Sequence, residues 1–353
     1  MTVDTMPLPP GPIDGPAAWY GEDMAADPDV WLKRLSDEDI AELECAGESF
    51  LGRDGDLGTI SKEDFALPAL GPRLTRLRET LMLGRGFELM RGLPVVTYDQ
   101  RLAATIFCGI GAHLGTARSQ NAAGHLLGHV RNTGADAADP NTRIYQTAQR
   151  QSFHTDSADV VGLLCLRDAM EGGESLLVST VTIYNEILKQ RPDLLSLLFE
   201  PVATDRRGEV PEGSKPYFEI PPLNWHDGRL TGLYQRQYID SAQRFPDAPR
   251  LTPAHVEALD LFDSLANDPR LHFGMRLEPG DMQFVYNHAL LHDRTGFRDR
   301  PAPAERRHLL RLWLSLPGDR ALPPSFTQRY GSIEIGERGG IVTPATTLQV
   351  VLD

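Results

Sequence analysis

Two tripeptides, His154-Thr155-Asp156 and His255-Val256-Glu257, set an imidazole two residues ahead of a carboxylate. With ten histidines and 49 acidic residues in 353 positions, such a pattern arises by chance about once or twice, so context must separate the two. His255 falls in a helical stretch opened by the cap Thr252 and by Pro253 in the first turn. On a helix, positions two apart point about 200° away from each other, so His255 and Glu257 read as solvated helix residues. His154 and Asp156 follow Gln151-Ser152-Phe153 and precede a turn and the strand-like run Val160 to Leu166. In extended chain, positions two apart share a face, and both side chains can reach one ion; the plain alternative is a surface turn. A third ligand must come from far along the chain. Phe284 to His292 reads as a strand whose start is set by the turn Glu278-Pro279-Gly280-Asp281. His292 falls where that strand should end, beside Asp293-Arg294-Thr295-Gly296, and strand ends open onto pocket rims. His292 is therefore the expected ligand, and His288 an ordinary strand residue. Two imidazoles and one carboxylate leave positions open on iron(II); zinc with a water is the competing use of the same set.

A second chemistry-bearing pair lies further on, in Arg306-Arg307-His308-Leu309-Leu310-Arg311-Leu312-Trp313-Leu314. Leu310, Leu312 and Leu314 alternate as in a strand, and Arg307 and Arg311 are an even number apart, so they share a face. Two inward guanidiniums are costly without anionic partners, and an arginine fork matches a carboxylate. A solvated arginine face is the other reading.

These residues need elements to hold them. Proline and glycine make residues 1–16 read as a flexible arm. Residues 17–83 read as helical: Asp27-Pro28 can begin one helix, Ser36 caps a second short one, and Pro72 onward reads as a third. Gly84 to Pro94 switches to strand-like runs, and Asp99 to Leu114 is an apolar helix stopped near Gly115. From about residue 125, short strands alternate with turns: Val160 to Leu166, Ser175 to Ser179, Gln235 to Ile239, Gln283 to Tyr286 and Leu309 to Leu316. Helices interrupt at Thr182 to Gln190, Pro192 to Leu198 and Thr252 to Leu265. Many short strands with few helices imply a mainly β, closed or double-sheet architecture with peripheral helices. No repeat or long polar linker divides it.

Composition narrows the partners. The net charge of -14 repels phosphate backbones and anionic lipid, so neither nucleic acid nor membrane is expected. The start, rich in proline, lacks a basic segment followed by an apolar one, so no signal peptide is expected. No apolar run approaches the roughly 20 residues of a membrane span. Cys45, Cys108 and Cys165 lack CxxC spacing and read as buried free thiols of a cytoplasmic protein. Homo-oligomerisation stays open.

In order along the chain, Phe153-His154-Thr155-Asp156, Gly172-Gly173-Glu174-Ser175, Asn287 to His292 with Arg294-Thr295, and Arg307-His308-Leu309-Leu310-Arg311 resemble the TauD/TfdA-like family (taurine dioxygenase and clavaminate synthase-like) of 2-oxoglutarate oxygenases. The resemblance spans about residues 85 to 318. It implies a double-stranded β-helix, a cupin-like jelly roll, over residues 84–353, with 17–83 packed on it. It implies Fe(II) on His154, Asp156 and His292, with 2-oxoglutarate and O2 as co-substrates. Arg307 would grip the distal carboxylate of 2-oxoglutarate, Ser175 would donate a hydroxyl to it, and Arg311 would lie near its other end or the substrate. The implied reaction is hydroxylation, desaturation or cyclisation of a small carboxylate- or amine-bearing molecule, releasing succinate and CO2. Asp156 disfavours halogenation, because halogenases of this broad group lack that carboxylate. Tyr145, Gln146, Asp159 and Arg294 are the expected substrate-side residues. A non-catalytic sensor that holds metal and oxo acid, and a zinc hydrolase, are the alternatives.

Overall fold

Val160–Arg167 is an almost unbroken aliphatic run, the pattern of a strand covered on both faces. In the computed structural model, which describes residues 8–9, 11–136, 139 and 142–352, it lies antiparallel between Met282–Tyr286 and His308–Ser315. Phe87–Arg91 and Leu32–Arg34 extend the sheet beyond Met282–Tyr286; His125–Val130 and Gln349–Val350 extend it beyond His308–Ser315, and Thr116–Ala117 completes eight strands. Gly162 lets the sheet and its neighbours close in: a Cβ there would lie 3.0 Å from the Phe284 ring. A smaller sheet of four strands runs His272–Met275, Ser175–Ser179, Leu290–Arg294, Gln151–His154, all antiparallel.

The two sheets meet across a polar seam. Ser175 of the small sheet donates to Gln283 Oε1 of the large one at 2.9 Å. The helix Gln100–Leu114, capped by Asp99 and apolar on most of its length, packs on the large sheet with Gly111 against Leu312. Asp37–Leu51 and Gly71–Leu83 pack around it. Thr180–Gln190 and Pro253–Ala266 share a second apolar core with Phe153, Val178 and Leu291 of the small sheet. Each sheet thus turns one face to helices, which leaves the facing sides to build a site. At one edge of the seam Trp19, Trp31, Phe87 and Phe273 cluster, with ring centroids 5.3–6.2 Å apart. N-terminal residues Trp19 and Trp31 therefore help hold the sheets together by burying large rings against Phe87 and Phe273.

Several expected elements differ. Asp27-Pro28 opens only the 3-10 turn Pro28–Val30, and Leu32–Arg34 then joins the large sheet. The Ser36 cap begins 15 residues of helix, not a short one, because its capping box with Asp39 satisfies both ends of the first turn. Gln235 to Ile239 is not a strand. Arg236–Ala242 is helical, with Arg236 bonding Asp240 one turn on and Tyr238, Ile239 and Ala242 buried. Phe284 to His292 is not one strand. The chain turns at Asn287–Ala289 and passes from the large sheet to the small one. Cys45 is exposed, whereas Cys108 and Cys165 are buried. Within the expected arm, residues 1–7 and 10 lie outside the described residues, while Ile13 exchanges two hydrogen bonds with Asn185. No helix among the described residues is long and apolar enough to cross a membrane.

Candidate metal and oxo-acid site

Sheet register brings the two histidines together. His154 and His292 sit directly opposite each other on antiparallel neighbours, where side chains of a pair share a face. Their ring centroids are 4.2 Å apart. His292 lies in the middle of Leu290–Arg294, not at a strand end. Asp156 follows two residues after His154. Its backbone N–H donates to Asn287 Oδ1 at 3.0 Å, so the turn leading to the His292 strand also fixes the carboxylate.

His154 Nε2 lies 3.9 Å from Asp156 Oδ1, and His292 Nε2 lies 3.8 Å from Asp156 Oδ2. These gaps are too long for direct hydrogen bonds, yet the three ligand atoms fall within 4.8 Å of one another. Burial holds both imidazoles neutral, that of His292 down to about 3. Burial alone would raise the Asp156 carboxyl. The Arg311 charge and the Trp313 hydrogen bond counter it, and the group lies at about 2. Neutral imidazoles and an ionised carboxylate are the forms a metal binds. His154 Nδ1 meets Ser152 O at 2.8 Å, which orients the ring. This donor set fits a divalent cation.

The large sheet supplies the rest. Trp313 Nε1 donates to Asp156 Oδ2 at 2.8 Å, and Arg311 Nη1 approaches the same oxygen at 3.4 Å. Arg311 is held by Gln120 Oε1 at 2.7 Å and covers the Tyr145 ring at 4.6 Å. Arg307, Arg311, Arg294, Ser175 and Tyr145 line one pocket with the two histidines and Asp156. Among the described residues Arg307 has no carboxylate partner, and its buried Nη1 has no hydrogen-bond partner. Burial pulls its guanidinium down to about 10. Gly173, at φ +76, leaves room for it: a Cβ there would lie 3.1 Å from Arg307 Nε. Arg307 and Arg294 both stack on Phe297, at 5.0 and 4.7 Å. Arg294 donates to Thr147 O at 3.1 Å and to Gln149 O. An unpaired guanidinium facing a pocket is costly unless an anion enters.

Two expected substrate-side residues lie elsewhere. Asp159 is fully buried and takes hydrogen bonds from Arg338, Leu316 and Ser315, with His288 Nε2 at 2.8 Å. Gln146 is half-buried and does not line the pocket. His288 is no ordinary strand residue either: it is buried in the turn against Asp159. His255 bonds Glu200 and the cap Thr252, while Glu257 pairs with Arg191. Trp313, Gln120 and Asn287 went unread. Trp313 carried a signal, because it shares the inward face of its strand with Arg311. Asn287 opens the motif Asn287 to His292, but its bond to Asp156 depends on a turn between sheets that the motif does not show.

Residues 53–313 match the model of the taurine catabolism dioxygenase TauD, TfdA family. The chain belongs to the TauD/TfdA dioxygenase family. Within it, the chain is 32% identical over 330 residues to FR-33289 synthase of Streptomyces rubellomurinus, covering 91% of this chain and 95% of that protein. It is 33% identical over 312 residues to the taurine hydroxylase-like protein SAT17 of Stachybotrys chartarum, covering 86% and 79%. Among solved structures, asparagine oxygenase with Fe(II), hydroxyasparagine and succinate superposes with a TM-score of 0.62 at 18% identity, covering 90% of this chain and 99% of that one. The oxygenase OrfP with Fe and alpha-ketoglutaric acid gives 0.60 at 14% identity, covering 80% and 93%. The sheet-rich fold with helices is that of these oxygenases. The protein is an Fe(II)- and 2-oxoglutarate-dependent dioxygenase that uses O2. The family match speaks against the sensor and hydrolase alternatives.

Proposed function

We propose that His154, Asp156 and His292 hold the Fe(II), and that Arg307 binds the distal carboxylate of 2-oxoglutarate. The observation that carries this reading is the pocket itself: three ligand atoms within 4.8 Å of one another share it with a buried guanidinium that has no anionic partner among the described residues. Bound there, the metal and co-substrate supply an oxidant for an unactivated C–H bond. The chain's own residues do the positioning. Trp313 and Arg311 keep Asp156 ionised and aimed. Ser175, whose hydroxyl rests on Gln283 Oε1 at 2.9 Å, turns to donate that hydroxyl to the co-substrate. Arg311 and Tyr145 close the pocket where 2-oxoglutarate meets the substrate, and Arg294 backs Phe297 beneath Arg307. The facing sheets read as a double-stranded β-helix over residues 84–353, with 17–83 packed against it. The substrate is a small carboxylate- or amine-bearing molecule that is hydroxylated, with desaturation or cyclisation as variants of the same hydrogen abstraction. A cytoplasmic location agrees with the two buried free thiols.

The test is metal content after reconstitution with Fe(II) under anaerobic conditions. One equivalent is expected in the natural chain and a loss of most of it in His154→Ala, Asp156→Ala and His292→Ala. Full retention in any of the three removes that residue from the ligand set.

A further inference from the structure

Asp156 also borders a second cavity, one that Arg307 does not reach. Arg143, Ser157, Tyr234, Trp313 and Arg329 line it with Asp156. Arg329 continues into a larger cavity of about 650 Å3 together with Arg118, Arg206, Lys215 and Glu209. Arg329 is fixed beside the metal-ligand segment: its Nε donates to Ser157 Oγ at 2.7 Å. Among the described residues the Arg206 side chain bonds the carbonyls of Lys215 and Gln328, and the Arg118 side chain that of Gly339. Arg206 and Arg329 stand over the same Phe218 ring, at 5.4 and 5.5 Å. Among the described residues none of Arg118, Arg206 and Arg329 has a carboxylate partner, whereas Arg143 pairs with Glu209 and Lys215 with Glu219. Burial pulls both Arg206 and Arg329 down to about 10, helped by repulsion from Arg329 on Arg206 and from Arg143 on Arg329. Across the two cavities five cations face three carboxylates, Asp156, Glu209 and Glu219. Lys215 is solvent-exposed, so the charge that lacks a direct partner sits on Arg118, Arg206 and Arg329, and holding it there is costly until an anion enters.

We propose that these cavities receive the acidic group of the substrate, a doubly charged oxyanion of the phosphate or phosphonate type, held by Arg329, Arg206 and Arg118. This rests on the reading that Asp156 is a metal ligand, and it narrows the substrate class to its anionic half. The anion would enter beside Asp156, and 2-oxoglutarate would occupy the cavity of Arg307. A simple amine finds repulsion here. A singly charged carboxylate offsets only part of the excess.

Calorimetric titration of the metal-free full chain with methylphosphonate, at a pH where it carries two charges, tests this without turnover. Saturable one-site binding is expected, displaced by inorganic phosphate and absent with methylammonium. Arg329→Gln and Arg206→Gln should each weaken it about tenfold or more, the scale of a lost charged hydrogen bond. Arg329→Lys, which keeps the charge and demands little of the fold, should fall between. No saturable binding, or equal affinity in Arg329→Gln and Arg206→Gln, overturns the proposal. A parallel titration with Fe(II) and 2-oxoglutarate separates the two readings. If phosphonate binds through Arg329 while Fe(II) does not depend on Asp156, the anion site stands and the metal assignment falls. If Fe(II) depends on Asp156 and phosphonate fails to bind, the reverse holds.

Discussion

Two buried groups of histidine and carboxylate lie a few residues apart in this chain, and they are built alike up to one difference. His154, Asp156 and His292 form one; Asp159, His288 and Asp319 form the other. In the second, the chain supplies its own cation. Arg338 Nε donates to Asp159 Oδ1 at 2.7 Å and its Nη2 to Asp319 Oδ2 at 2.7 Å. Tyr286 adds a hydrogen bond to Asp319 at 2.5 Å, and all three charged side chains are fully enclosed. In the first group, among the described residues, no guanidinium bridges the ligands: Arg311 only approaches Asp156 Oδ2 at 3.4 Å, and the histidine nitrogens stand off at 3.8 to 3.9 Å. On the proposed reading, the same residue types serve structure where the chain supplies the cation and chemistry where the cation comes from outside. Searching for clustered ligands finds both groups; asking what already neutralises them separates the two.

The comparison can be broken at several points. The largest effect belongs to His154→Ala, which should reduce Fe(II)-dependent formation of succinate to background. Its unfolding transition should stay near that of the natural chain, and added Fe(II), which stabilises the natural chain by binding the folded state, should no longer raise it. Arg338→Leu should do the opposite. It leaves two enclosed carboxylates without their cation, at a cost of about 3–5 kcal/mol in urea unfolding, with iron content per folded molecule preserved. A stable Arg338→Leu protein would show that the second group is not held by its guanidinium. Arg307→Leu should weaken 2-oxoglutarate binding about 10- to 100-fold, the scale of about 1.5–3 kcal/mol for a charged hydrogen bond, while iron binding persists; unchanged affinity would mean the anchor lies elsewhere. The smallest effect is expected of His255→Ala. Its ring meets only Thr252 and Glu200, so turnover should be unchanged and stability should fall by at most about 1 kcal/mol, as for a lost cap. An inactive His255→Ala would reverse the choice between the two His-x-acid pairs.

What the sequence made legible was local. The alternation around Arg311, the caps at Ser36 and Thr252, and the contrast between an extended and a helical His-x-acid pair all depend on neighbours within a few residues, where periodicity acts. The strand Ser175 to Ser179 was readable in the same way. What stayed hidden depends on where the chain crosses between sheets. Asn287–Ala289 looks like strand by composition, yet it is the turn that places His288 in the core and His292 in the pocket. Asp159 looked like a pocket residue because it follows Asp156 closely, but its partner Arg338 lies 179 positions away, and no local pattern announces that contact. Gln235 to Ile239 alternates like a strand, and only the Arg236–Asp240 pair and the buried Tyr238 and Ile239 show the helix.

The assignment of Fe(II) to His154, Asp156 and His292, with 2-oxoglutarate beside it, is tested most directly by anaerobic titration of the metal-free protein with Fe(II) and then 2-oxoglutarate. The observable is the weak visible charge-transfer band of the chelate. The band should form in the natural chain and in Arg329→Gln, and should vanish in His292→Ala. A band of full strength in His292→Ala, or iron binding in the natural chain with no band on adding 2-oxoglutarate, would contradict the account.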